Sequence, residues 1–236
     1  MSFKCITITL SLPLRSGSVN CYLLEANDTG YILIDTGSSN KRKELEETLE
    51  REGCKPGNLR LIIITHGDFD HTGNASYLRK KYGVKIAMHH EDSGMVERGN
   101  MFSNRKTGNI ILRKLIGVIT PILFGFGKSE RFIPDCYLDD GYDFSEYGLN
   151  ARVVHIPGHS KGSIGILTVS GHLFCGDLFV NGDKTDKPSL NSIVDDKVAM
   201  DKSVRRLKDL RINTVYPGHG KPFSWDRFMH LYSMSN

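Results

Sequence analysis

The sequence predicts an α/β protein in which two β-sheets lie between layers of helices. Short β-branched and apolar runs alternate along the chain with longer segments that mix charged and apolar residues at helical spacing. The composition supports one folded unit, because 236 residues, 39% of them hydrophobic and 25% charged, suffice for one sizeable core. We therefore expect residues 1–236 to form a single domain.

The first half of the chain begins with two strands that we expect to pair, one at residues 6–14, where polar and apolar residues alternate, and one at 19–25. Residues 41–52 predict an amphipathic helix, because acidic and basic side chains surround apolar ones at helical spacing. The other predicted elements are strands at 31–35, 61–65 and 84–88 and a helix at 74–82.

The second half is predicted to contain strands at 151–156, 163–169, 172–175 and 214–216, and a helix at 195–210 that begins with acidic residues. Residues 91–142 are the least regular part of the chain. Their apolar stretch at 109–126 is interrupted by Arg113 and Lys114 and contains Pro121, which would kink a helix. We therefore expect no membrane-spanning segment there.

Chemically active side chains gather at the end of the predicted strand 61–65. The turn His66-Gly67-Asp68-Phe69-Asp70-His71 places two imidazoles and two carboxylates within six positions. Side chains around a turn at a strand end can converge on one point, as metal coordination requires. This turn therefore predicts half of a two-metal site, with further ligands expected from other strand ends.

Three isolated residues fit that expectation. His159, Asp177 and His219 each follow a β-branched or aromatic run and lie beside glycine, in Pro157-Gly158-His159, Gly176-Asp177 and Gly218-His219. Glycine allows sharp turns and a close approach of the backbone to a ligand. We therefore expect these three side chains to complete the site.

This ordered set resembles the metallo-β-lactamase superfamily. It comprises His66-x-Asp68-x-Asp70-His71, His159, Asp177 and His219, preceded by Ile32-Leu33-Ile34-Asp35-Thr36-Gly37. The resemblance extends over about residues 19–222, and its order and context are similar to the family's hydrolases, including the glyoxalase II type. It implies a four-layer αββα sandwich.

The resemblance also implies a role for each residue. His66, Asp68 and His159 would bind one metal, and Asp70, His71 and His219 a second, with Asp177 bridging the two and a hydroxide held between them. Asp70 would in addition be catalytic, by orienting the hydroxide. Asp35 is expected to orient ligands through hydrogen bonds without touching metal.

One position departs from the family pattern, because Asp68 stands where a second histidine is usual. A carboxylate binds zinc adequately and suits iron or manganese better than imidazole does. The expected cofactors are therefore two divalent metal ions, zinc first, with iron or manganese left open. Three carboxylates and a hydroxide would neutralise two divalent cations and weaken the cluster as a Lewis acid, unless Lys161, Lys184 or Lys187 approaches the site.

The expected function is a binuclear metal-dependent hydrolase in which a metal-bridging hydroxide attacks a small ester-like substrate, a thioester or lactone before a β-lactam. A phosphodiesterase or nuclease, a di-iron oxidoreductase and a non-catalytic metal-binding protein stay open as alternatives. A net charge of +4 without Lys/Arg clusters predicts no nucleic-acid partner. Residues 91–142 are expected to cap the pocket, with 116–126 forming part of its wall; core or dimer-interface packing is the equal alternative, which leaves a homodimer open.

The five cysteines are scattered, odd in number and form no C-x-x-C pair. They therefore indicate neither a disulfide framework nor a cysteine zinc site, and they favour a reducing cytoplasm. The N-terminus alternates like a strand and shows no signal-peptide pattern. The predicted location is cytoplasmic.

Overall fold

The structure is a computed structural model that describes residues 4–12, 17–26, 30–105, 130–182 and 186–234. The apolar stretch at 109–126, and with it the prediction of a pocket wall at 116–126, lies outside these described residues. No helix in the described ranges is both long enough and apolar enough to cross a membrane.

The N-terminal sheet has six strands that lie side by side in chain order. The first three are antiparallel to one another, and the third to the sixth are parallel. Parallel neighbours need a crossover connection, which helices supply here. In chain order the elements are β1 (Cys5–Ser11), β2 (Ser18–Ala26), β3 (Gly30–Ile34), α1 (Arg42–Arg51), β4 (Leu59–Ile63), α2 (Phe69–Thr72), α3 (Ala75–Tyr82), β5 (Lys85–Met88), α4 (His90–Arg98) and β6 (Cys136–Tyr137).

The second sheet comes from the C-terminal half and has five strands in the order β13-β12-β9-β8-β7. A two-stranded hairpin of β10 and β11 accompanies it. The elements are β7 (Ala151–His155), β8 (Ile164–Thr168), β9 (His172–Phe174), β10 (Phe179–Asn181), β11 (Pro188–Leu190), α5 (Lys197–Lys208), β12 (Thr214–Tyr216), β13 (Phe223–Ser224) and α6 (Trp225–Met234).

Alternating strand residues build three apolar layers. On β4, Ile62 packs on the outer side of the first sheet, whereas Leu61 and Ile63 face the second sheet. On β9, Phe174 lies between the sheets, whereas Leu173 belongs to the layer under α5 and α6. Three apolar layers separate four layers of secondary structure, so the predicted αββα sandwich is confirmed.

Two predicted strand ends can be compared with the structure. Residues 13–14 of the strand expected at 6–14 lie outside the described residues; the described strand ends at Ser11, and the Leu12 amide donates to the Gly17 carbonyl. The strand expected at 61–65 ends at Ile63, because Thr65 is held by side-chain hydrogen bonds outside the ladder. These hydrogen bonds already belong to the candidate site.

The sequence did not predict helix α4. Its segment contains His90, Glu91, Asp92, Ser93 and Gly94, so apolar periodicity is weak there. The helix is nevertheless anchored, because Asp92 as well as Met95 is buried.

The buried layer between the sheets should dominate stability. Ile32→Ala removes a fully buried side chain there and should lower the free energy of unfolding by about 2–5 kcal/mol. Ile133→Ala makes the same chemical change at a side chain that is 67% exposed, and should cost less than about 0.5 kcal/mol. Urea unfolding of both variants measures the difference; similar losses would contradict the layer assignment.

Candidate metal centre

The fold brings all seven predicted ligand residues to one end of the sandwich. His66 and Asp68 follow β4, and Asp70 and His71 lie on the short helix α2. The other three follow strands of the second sheet: His159 after β7, Asp177 after β9 and His219 after β12. The turns between consecutive elements are short, so the positions of the strand ends determine the site.

The ligand atoms form two adjoining groups, in each of which they lie within 4.8 Å of one another. Cluster A contains His66 and His159 together with Asp177, and cluster B contains Asp70, His71 and His219. Asp177 lies between the clusters: its Oδ1 is 3.3 Å from His71 Nε2, and its Oδ2 is 3.2 Å from His219 Nε2 and 4.0 Å from His159 Nε2. This is the place that a bridging carboxylate would occupy.

All four imidazoles in the two clusters point the same ring nitrogen inward. Each Nδ1 instead faces an acceptor outside the cluster, which in the neutral imidazole fixes the proton on Nδ1 and leaves the Nε2 lone pair directed into the site. The acceptors are Thr65 Oγ1 for His66 at 3.0 Å, Asp35 Oδ2 for His71 at 2.8 Å, the Ile193 carbonyl for His159 at 2.8 Å and the Ser18 carbonyl for His219 at 2.6 Å.

Asp35 lies behind the predicted ligand residues and contacts two of their loops through hydrogen bonds. Its carboxylate accepts from the Thr65 amide, the Thr65 hydroxyl and His71 Nδ1, each at 2.8 Å. The Thr65 hydroxyl is thereby set to accept from His66 Nδ1. Asp35 adopts a φ of 59°, a left-handed conformation that costs energy for a residue with a side chain, and the three hydrogen bonds oppose that cost.

Three inward-facing atoms make the site suitable for cations. His66 Nε2, His71 Nε2 and Asp177 Oδ1 are buried and have no hydrogen-bond partner among the described residues. An unsatisfied buried polar atom costs about 1–3 kcal/mol, so three at one place are unusual in a folded protein. Imidazole nitrogen and carboxylate oxygen are ligands that zinc and iron accept, and the donor set therefore fits a metal centre.

A family model described as the metallo-beta-lactamase superfamily matches residues 14–219. The chain belongs to the metallo-beta-lactamase superfamily. Two similar relatives are named as hydrolases. Hydroxyacylglutathione hydrolase GloC of Haemophilus influenzae is 26% identical over 182 residues, which cover 75% of each protein. A probable metallo-hydrolase of Methanocaldococcus jannaschii, MJ0888, is 30% identical over 208 residues, covering 86% of this chain and 88% of the relative.

Solved structures of the superfamily share the fold. The family protein TTHA1429 of Thermus thermophilus superposes with a TM-score of 0.72 at 21% identity, covering 98% of this chain and 79% of that one. TTHA1623, solved in a di-iron-bound form, gives 0.69 at 23% identity and covers 96% and 98%. The resemblance, the fold and a metal-dependent hydrolase are thereby confirmed, whereas the role of each ligand residue stays a prediction.

Asp68, the residue that departs from the superfamily pattern, has a partner that the sequence did not predict. Nη2 of Arg105 lies 2.7 Å from both carboxylate oxygens of Asp68 and 3.2 Å from His159 Nε2. Burial alone would raise the pKa of Asp68, but the adjacent guanidinium outweighs it and holds the pKa well below its usual range. The expected cation is therefore this arginine: Lys161 and Lys187 are exposed, and Lys184 lies outside the described residues.

Asp92 on α4 is a second residue that sequence reasoning missed. Its fully buried carboxylate accepts from the Gly67 amide at 3.1 Å, the Ser160 hydroxyl at 2.6 Å and the Gly162 amide at 2.8 Å. It therefore joins the loop of His66 to the loop of His159. An acidic residue in the first turn of a helix is common, so nothing in the sequence marked it as buried.

The His219 loop is held against the first sheet by two side chains of β2. Asn20 Nδ2 donates to the carbonyls of Pro217 and Gly220, at 3.1 and 2.7 Å, and the Tyr22 hydroxyl donates to Pro217 at 2.6 Å. Gly218 in this loop has no room for a side chain, since a Cβ would lie 2.3 Å from Asp177 Oδ1. The glycine beside His219 therefore allows the backbone to lie close to Asp177.

The two clusters open into a cavity of about 410 Å³. Asn191 lies at its edge and donates from Nδ2 to Asp177 Oδ2 at 3.2 Å. No lysine or arginine is among the described residues that line it. The lining comprises Leu12, Asp68, Phe69, Asp70, Met101, Phe102, His159, Asp177, Val180, Asn191, Ser192, Ile193 and His219.

Another histidine group lies outside the predicted site and has different geometry. His89 stacks on His155 at 4.2 Å with an angle of 6° between the rings, and on His90 at 4.4 Å and 29°. Because the stacked rings are nearly parallel, the lone pairs of their nitrogens do not point toward one common atom. The rings of His66 and His159, by contrast, meet at 86°. His89 also accepts from the Glu91 amide and caps α4.

The Asp92 contacts predict a variant that damages the site from outside it. Asp92→Asn replaces one carboxylate oxygen, which accepts hydrogen bonds, by an amide NH₂ group, which donates them. That NH₂ group would face the amides or the hydroxyl that now donate to Asp92. We expect a loss of about 1–3 kcal/mol in unfolding free energy and weaker metal retention on dialysis. Asp209→Asn, at an exposed carboxylate, is the matched control and should retain both. Unchanged metal content in Asp92→Asn would contradict this role.

Metal binding should be linked to pH. Burial opposes protonation of His219, but the carboxylates of Asp177 and Asp70 outweigh it and raise its pKa to about 9 in the metal-free protein. A metal must displace this proton, so the apparent Zn²⁺ affinity should rise about tenfold per pH unit for each proton released between pH 7 and 9. Titration against a chelator at pH 7, 8 and 8.5 measures the slope.

The stability of the metal-free protein should change in the opposite direction. Because the folded pKa of His219 lies above its unfolded value of about 6.5, the stabilisation is complete below pH 6.5 and is lost as pH rises through 9. The melting temperature of the chelated protein should therefore fall across this range. An apparent Zn²⁺ affinity that does not change with pH, together with a melting temperature that rises with pH, would contradict the raised pKa of His219.

Proposed function

We propose that this protein is a binuclear metal-dependent hydrolase that acts on a small, uncharged acyl compound, a thioester or lactone. One observation carries the proposal: two ligand clusters that share Asp177 open into one cavity, and the rest of its described lining is mostly apolar. Such a cavity can hold an acyl group beside the metals.

The two clusters support the expected ligand set, to which Asp68, 3.1 Å from His159 Nε2, is added. His66, His159 and Asp68 would hold one metal, and Asp70, His71 and His219 the other, with Asp177 shared. When bound, two divalent metals lower the pKa of a water molecule, polarise a carbonyl oxygen and stabilise the charge that develops on it. Zinc is the first expectation; Asp68 leaves iron or manganese open, and the similar TTHA1623 is known in a di-iron-bound form.

The residues of the chain supply orientation and a proton site. Asp70 faces the cavity, and its Oδ2 lies 3.5 Å from His219 Nε2 and 4.0 Å from His71 Nε2. Burial raises the pKa of Asp70, so its carboxylate is suited to accept and hold the proton of an attacking water. Asn191, beside Asp177 at the cavity edge, carries an amide that can donate to a substrate oxygen.

The cavity wall favours an apolar acyl group. Leu12, Phe69, Met101, Phe102 and Val180 line it, and none of its described residues is cationic. An anionic phosphate would therefore find no lysine or arginine in the described wall to bind the oxygens that the metals do not contact. A thioester substrate is further supported by the relative named hydroxyacylglutathione hydrolase.

The test is a metal analysis followed by a hydrolysis panel on the loaded protein. The panel contains a butyryl thioester, a lactone, a β-lactam and a phosphodiester such as bis(p-nitrophenyl) phosphate. We expect thioester or lactone hydrolysis, with kcat/KM reduced at least about 100-fold in Asp70→Asn and Asp177→Asn. Asp226→Asn, at an exposed carboxylate, is the matched control and should keep full activity.

Substrate charge sharpens this test. A succinyl thioester, whose acyl group ends in a carboxylate, should be hydrolysed more slowly than the butyryl thioester because its carboxylate would enter a mostly apolar wall in which no described lysine or arginine can pair with it. Phosphodiester hydrolysis alone would establish the phosphodiesterase alternative. Oxygen consumption with a reductant by an iron-loaded protein would favour the oxidoreductase, and silence of a fully loaded protein on every substrate would favour a binding protein.

A further inference from the structure

Arg105 reaches cluster A with a single nitrogen. Its Nη2 donates to both oxygens of Asp68 at 2.7 Å, whereas its Nε has no hydrogen-bond partner among the described residues. The side chain is 7% exposed, so water does little to screen the pair. The ion pair is therefore strong and local, and it holds the expected ligand Asp68 by both of its oxygens.

The same nitrogen also lies against a metal-facing atom of His159. Arg105 Nη2 is 3.2 Å from His159 Nε2, and Asp68 Oδ2 is 3.1 Å from the same ring nitrogen. His159 Nδ1 lies 2.8 Å from the Ile193 carbonyl, so Nε2 is the nitrogen that a metal at cluster A would bind. Two of the expected ligands in cluster A, Asp68 and His159, thus already face a cation of the protein itself.

Among the described residues, no lysine or arginine forms an ion pair with cluster B. His71 Nε2 has no hydrogen-bond partner among them, and its neighbours are the carboxylates of Asp70 and Asp177 and the imidazoles of His66 and His219. Asp70 and Asp177 thus face imidazoles that are themselves expected ligands, whereas Asp68, beside cluster A, faces a guanidinium that keeps its charge. The two clusters therefore differ in electrostatics although they share Asp177.

We propose that the Arg105 guanidinium is a built-in competitor for the metal of cluster A, so that cluster B loads first and cluster A loads only when Arg105 withdraws from His159. This inference rests on the ligand assignment of the proposed function. Asp68 has two oxygens, so Arg105 can keep one of them while the other becomes a ligand. The Asp68–Arg105 pair then carries no net charge, like the histidine that is usual at this position.

Metal titration of the chelated protein tests the order directly. Zn²⁺ and Mn²⁺ are titrated separately by calorimetry and by competition with a chromophoric chelator. The wild-type protein should show two events that differ at least about tenfold in affinity, because the weaker one includes the loss of a buried ion-pair contact. Two events of equal affinity in the wild type would overturn the proposal without any variant.

Variants of Arg105 show whether the weaker binding event belongs to cluster A. Arg105→Met removes the competing charge and keeps an unbranched side chain; it should strengthen the weaker event about tenfold and leave the tighter one unchanged. Arg105→Lys keeps the charge and should behave more like the wild type. Arg206→Met, which breaks an exposed pair with Asp140, is the matched control and should change neither event. Circular dichroism and melting curves establish that each variant is folded.

A loss of metal binding in the Arg105→Met variant would refute the proposal. If Arg105→Met loses the weaker event, Arg105 supports Asp68 as a ligand and does not compete with the metal, and the proposal is wrong. The outcome is also separable from the proposed function. If the metals load in order but no substrate is hydrolysed, the role of Arg105 stands and the proposed acyl hydrolase is wrong. If acyl compounds are hydrolysed by a protein with two metal sites of equal affinity, the proposed function stands and the role of Arg105 is wrong.

Discussion

The Asp35 carboxylate is the contact on which the site depends most. It fixes His71 directly and His66 through the Thr65 hydroxyl, so one ligand of each cluster takes its orientation from a single side chain. It also receives the Thr65 amide and so determines where the chain leaves β4. A buried acceptor with three donors is well satisfied, and this explains how a φ of 59° is tolerated at a residue other than glycine.

The remaining ligands are placed by contacts between the two sheets. Asn20 and Tyr22 on β2 hold the loop of His219, and Asp92 on α4 joins the loop of His159 to that of His66. Each of these contacts joins residues far apart in the chain, and each ends on a backbone group or on a side chain beside a ligand. The packing of the two sheets therefore determines the geometry of the candidate metal centre.

Most of the framework could be predicted because its signals are local. Alternation along β1, short apolar runs in β2 and β8 and helical spacing in α1 and α5 identified these elements, and glycine beside His159, Asp177 and His219 marked the loops that converge. Helix α4 was missed because its buried residues include an aspartate. Arg105 and Asp92 were missed for a related reason: a charged residue in the sequence shows neither its burial nor its partner, and both arise from tertiary packing.

The buried pair of Asp68 and Arg105 has a consequence for how this branch of the superfamily can change over time. Replacing either residue alone leaves an unbalanced charge in a nearly dry environment, which costs several kcal/mol. A lineage that passes between histidine and aspartate at position 68 must therefore also gain or lose its arginine, through an intermediate that is less stable than either end. The two positions, 37 residues apart, should be inherited as one unit, and a chain that carries Asp68 without an arginine near position 105 should hold its cluster A by other means.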